Sequence, residues 1–76
     1  MTIAGDMLNT LSDRELQVFA QIARGHTLAA IARELGLNHA SISTYRVRAL
    51  RKLGLHTNAD IVLTARAAGI VKGPGE

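Results

Sequence analysis

The sequence predicts an all-α domain of four helices, and three observations carry the prediction. Apolar residues recur at i, i+3, i+4 and i+7 in successive segments, the spacing of one helix face. A capping residue opens each segment (Ser12, Thr27, Asn38, Thr57) and a glycine closes each (Gly25, Gly36, Gly54, Gly69). The 47% hydrophobic fraction includes many Ala, with one Phe, one Tyr and no Trp, so the helices can approach closely.

A chain of 76 residues suits a single small domain. A domain of this size buries only about 60% of its unfolded surface, so its core is thin. With no Cys, neither disulfides nor thiolate metal ligation can reinforce it. Helix packing must hold it, with help from a partner subunit where one is present.

Residues 1–10 show no period and are expected to be a flexible arm. The first helix begins at Ser12, with Glu15 three residues on completing a capping box and Leu11 and Leu16 at the staple positions. Leu16, Phe19, Ala20 and Ala23 are its expected inner face, and Gly25 its stop. Thr27 caps the second helix, in which Leu28, Ile31, Ala32 and Leu35 form the stripe. Gly36 ends it, Leu37 turns inward and Asn38 caps the next.

The third helix spans 39–53. At about 100° per residue, Ile42, Ala49 and Leu53 share the inner face, with Tyr45, Arg46 and Leu50 at its margins. Ala40, Thr44, Val47 and Arg51 point the opposite way, flanked by Ser43 and Arg48. Thr57 and Asp60 open a fourth helix, 58–68, whose apolar residues run nearly all the way round. Such a helix is covered on more than one side, so its outer surface is expected to meet a second subunit. Residues 71–76, with Gly73-Pro74-Gly75, read as a flexible tail.

Net charge is +3 and the isoelectric point about 10.2. Distribution says more than the total: no Asp or Glu occurs from Leu35 to Ala59, where Arg46, Arg48, Arg51 and Lys52 lie. Alone, such a run is often just a solvated face. On the second of two helices joined by a tight glycine turn, it is the expected footprint of a polyanion-binding surface. No stretch reaches the roughly 20 apolar residues of a membrane span. The first residues lack the pattern of a signal peptide, so a cytoplasmic protein is expected. His26, His39 and His56 share no metal-ligand spacing, and no catalytic constellation stands out, so neither metal, cofactor nor enzymatic activity is expected.

Four blocks carry a family resemblance: Leu11-Ser12-Asp13-Arg14-Glu15, Ile31-Ala32-Arg33-Glu34-Leu35-Gly36-Leu37, Ser41-Ile42-Ser43-Thr44-Tyr45 and Leu50-Arg51-Lys52-Leu53-Gly54-Leu55. Together they resemble the LuxR-type (NarL/FixJ, GerE-like) helix-turn-helix DNA-binding domain, over 11–70. The resemblance implies a bacterial transcriptional regulator that binds double-stranded DNA as a dimer, with helix 39–53 in the major groove. It places base reading on Ser43, Thr44 and Val47. Backbone phosphates fall to Thr27, Asn38, Ser41, Arg46, Arg48, Arg51 and Lys52. The dimer contact falls on the fourth helix, at Ala59, Val62, Leu63 and Arg66, and RNA polymerase is a further candidate partner.

Two departures stand out. The family often has Lys or Arg where this chain has Ser43, and a polar or basic residue at Val47. Tyr45 stands where the family commonly has His. The small readers leave a second reading, an interaction module that pairs with a full-length relative and blocks it. A sigma-factor recognition domain is a third, opposed by the continuous apolar fourth helix.

Overall fold

The computed structural model describes residues 8–70. It contains α1 (Asp13–Ala23), α2 (Leu28–Leu35), α3 (His39–Leu53) and α4 (Asn58–Ala67), and no strand among the described residues. The tail expected at 71–76 and the arm over 1–7 lie outside those residues.

Each helix begins as its sequence demands. Ser12 Oγ accepts from the Glu15 amide while Glu15 Oε1 accepts from the Ser12 amide, a complete capping box. Thr57 and Asp60 repeat the arrangement at α4. Each helix also closes alike, through an amide that reaches back five residues: His26 to Gln21, Leu37 to Ala32, Leu55 to Leu50 and Ile70 to Ala65. Such closures satisfy carbonyls that a helix end would otherwise leave bare. They need a left-handed residue, which Gly36 supplies at φ 68° between α2 and α3.

Helix α1 is the hub. It packs against α3 and α4, and α2 lies on α3. The core gathers Val18, Phe19 and Ile22 of α1, Ile31 of α2, Ile42, Leu50 and Leu53 of α3, and Ile61 and Ala65 of α4. A side chain of this size, fully buried, contributes roughly 1.5–3 kcal/mol.

Two expectations need correction. The inner face of α1 is Glu15, Val18, Phe19, Ile22 and Ala23, whereas Leu16 and Ala20 are only half-buried. The stripe turns because α1 must face α3 and α4 together. Leu8, expected in a flexible arm, is buried: the Leu11 amide donates to its carbonyl and the turn folds it onto the core. Helix α4 leaves part of its apolar surface outside the core. Ile61 and Ala65 face the core, Val62 is half-buried, and Ala59, Arg66 and Leu63 are exposed, the last at 62%.

Candidate nucleic-acid interface

The turn from α2 to α3 builds the site. Leu35, Gly36 and Leu37 reverse the chain, and Leu37 packs against the core. Asn38 then starts α3, its Oδ1 accepting from the Ser41 amide at 2.8 Å. With Ile42, Ala49, Leu50 and Leu53 buried and Tyr45 packed at their edge, the opposite side of α3 is fixed toward solvent.

That outer face brings most of the expected readers together. Ser43, Thr44, Val47, Arg48 and Arg51 line one shallow depression. A second lies beside it, toward the start of α3, and is lined by Asn38, Ala40, Ser41, Thr44, Tyr45 and Arg48. Thr44, Val47, Arg48 and Arg51 are exposed and Ser43 half-buried. The Thr44 hydroxyl donates to the Ala40 carbonyl at 3.0 Å, so it faces outward with lone pairs only.

The helix caps fall where expected. Thr27 Oγ1 accepts from the Ala30 amide at 3.1 Å, and its own proton remains to donate. The Asn38 amide nitrogen is likewise a donor left over from capping. The first-turn amides of α2 and α3 carry the partial positive charge of helix starts, which favours anions.

The four cations of α3 divide into two pairs. Arg46 is half-buried and its Nε donates to Asn58 Oδ1 at 2.8 Å, which ties α3 to the first residue of α4. Lys52, expected at a phosphate, has partners within the fold. Its Nζ lies 2.7 Å from Glu15 Oε1 and donates at 3.3 Å to the Thr10 carbonyl. The physical reason is Glu15, which is only 3% exposed. A carboxylate so placed needs a cation. Hydrogen bonds from Lys52 and then from the Ser12 amide hold its pKa below the ordinary value, against the opposing effect of burial. Arg48 and Arg51 have no hydrogen bond or ion pair among the described residues.

No Asp or Glu lines either depression. Asp60 is engaged at the start of α4, where the His56 and Thr57 amides both donate to its Oδ2 at 3.0 Å. These two bonds, His56 first, hold its pKa below the usual range. Among the described residues no three His, Cys, Asp or Glu gather as a metal site, and no helix is long and apolar enough to cross a membrane.

Sequence reasoning missed the Glu15–Lys52 pair because the capping box already accounted for Glu15. The available signal was its place on the stripe Glu15, Val18, Phe19, Ile22.

Comparison with known proteins follows the same lines. The chain is 43% identical over 60 residues to a candidate transcriptional regulator of Pseudomonas aeruginosa, covering 79% of this chain and 29% of the relative. It is 42% identical over 59 residues to the HTH-type transcriptional activator RamA of Corynebacterium glutamicum, covering 78% and 21%. Against the response regulator GacA of Pseudomonas aeruginosa it is 33% identical over 63 residues, covering 83% and 29%. The chain thus spans between a fifth and a third of the length of these relatives. Residues 9–65, from just before α1 to within α4, match the family described as bacterial regulatory proteins, luxR family, and the chain belongs to that family.

Proposed function

We propose that this chain is the DNA-reading domain of a transcriptional regulator and binds double-stranded DNA sequence-specifically, with α3 in the major groove. The observation that carries this reading is the outer face of α3. Small polar and apolar side chains at Ser43, Thr44 and Val47 share one depression with the guanidinium groups of Arg48 and Arg51. Membership of the luxR family supports it, as do relatives named as transcriptional regulators.

Ser43, Thr44 and Val47 face base edges. The first-turn amides and caps at Thr27, Asn38 and Ser41, with Arg48 and Arg51, hold backbone phosphates and set the register. Arg46 braces α3 against α4, and Lys52 serves the fold. Two copies pair through Ala59, Val62, Leu63 and Arg66, so two half-sites are read by one two-fold assembly. The site of action is the bacterial cytoplasm, and RNA polymerase is the partner an activator would engage. Nothing in this role calls for catalysis or a cofactor.

Exposure of Leu63 at 62% also supports a second reading, in which α4 pairs with a full-length relative and keeps it from DNA.

Selection from a random duplex library at about 150 mM salt separates the two. An enriched palindrome is the outcome expected for the dimeric reader. Absence of enrichment, with self-association intact, overturns it in favour of the pairing module.

A further inference from the structure

Resting on the DNA-reading function above, we propose that Arg48 reads a guanine in each half-site, beyond holding a phosphate. The three small readers pose a problem of reach. Ser43, Thr44 and Val47 are short, and none can donate two parallel N–H groups to the O6 and N7 of guanine. Thr44 is restricted further, since its proton is given to the Ala40 carbonyl. The depression they leave is walled by two long side chains that can make the bidentate contact, Arg48 and Arg51.

Position along α3 separates the two arginines. Arg51 belongs to the last turn of α3. In a helix-turn-helix the recognition helix meets base edges through its N-terminal part, so the last turn stands beside the backbone. Arg48 lies one turn closer to the helix start. It also lines both depressions, on either side of Thr44, and so spans the width of the reading face.

Availability decides the remaining cations of α3. Arg46 is held by Asn58 and Lys52 by Glu15, whereas Arg48 has no intramolecular partner among the described residues. Its guanidinium is exposed, planar and fixed in charge, the geometry that matches a guanine edge. The long donor absent from Ser43 and Val47 is thereby supplied from the neighbouring position.

The test is parallel selection from a random duplex library with the wild-type chain, Arg48→Ala, Arg48→Lys and Arg51→Ala. Circular dichroism first confirms that each variant is folded, which the exposure of both arginines leads us to expect. The wild type should enrich a motif with a fixed G·C pair in each half-site. Arg48→Ala should keep the rest of the motif and lose preference at that pair, by about 5- to 150-fold, the range for one bidentate contact. Arg48→Lys should restore affinity more than preference, and Arg51→Ala should leave the motif whole. A motif unchanged in Arg48→Ala, with affinity lowered evenly on all sequences, overturns the assignment and leaves DNA reading standing. A wild type that enriches no motif overturns both.

Discussion

The Lys52 ammonium lies 2.7 Å from the Glu15 carboxylate, across 37 positions of sequence. It joins the last turn of α3 to the first turn of α1, and it engages within the fold a cation that a helical wheel leaves on the outer face. Lys52→Ala should therefore lower unfolding free energy by about 1–2 kcal/mol. That is near the low end for a charged hydrogen bond, because Lys52 is partly in solvent. Urea unfolding measures the loss. The salt dependence of DNA binding should stay as it was. A stable variant with a shallower salt slope would return Lys52 to the phosphates.

The same pair makes stability respond to acid. The folded pKa of Glu15 is lowered, so its stabilisation is complete above the unfolded value of about 4.3 and is lost as pH falls through the folded one. The gap in melting temperature between wild type and Glu15→Gln should be widest near neutrality and shrink below about pH 4. An equal gap at both ends of that range would mean that shape, not charge, sets the effect.

Arg51→Ala should weaken binding to every sequence alike. Each subunit should lose about 1 from the slope of log affinity against log salt. Titration of one specific and one unrelated duplex at several salt concentrations checks this, and a loss confined to the specific duplex would place Arg51 among the base readers.

Thr44→Ala should do the reverse. Its lone pairs accept from a base amino group, adenine N6 or cytosine N4. Preference at one base pair should fall by about 1–3 kcal/mol with little change elsewhere. Competition among single-base variants of the selected site measures it. Unaltered preference would remove Thr44 from the reading set.

Leu63→Asp places a charge on the exposed face of α4. Binding to a duplex with two half-sites should lose its cooperativity, while binding to one half-site stays constant. Equal losses on both duplexes would show that Leu63 contributes to the fold and not to pairing.

Much of this was legible in the chain because helix ends are local. Ser12, Thr27, Asn38 and Thr57 cap as their neighbours dictate, and the glycines close as a left-handed residue must. Periodicity alone put Ile42, Ala49 and Leu53 on the inner face of α3, while Leu50, expected at its margin, is buried with them. What escaped depends on distant partners. Leu8 precedes any period and is buried only because a turn carries it back. Glu15 looked satisfied by Ser12, and its cation is supplied by α3. Arg46, at the margin of the inner face, meets an amide twelve positions on, Asn58. Of the reading face, the periodicity showed which side chains point outward. Which arginines are left free was set by tertiary pairing that no helical wheel contains.

Because α1 packs on both α3 and α4, the small core does more than hold the chain together. In a dimer joined through α4, the angle between α4 and α3 fixes the distance between the two reading helices. In such a dimer, side chains such as Val18 and Phe19, buried away from the outer face of α3, would act as the ruler for operator length. Repacking them would shift the preferred number of base pairs between half-sites while leaving each half-site's letters unchanged.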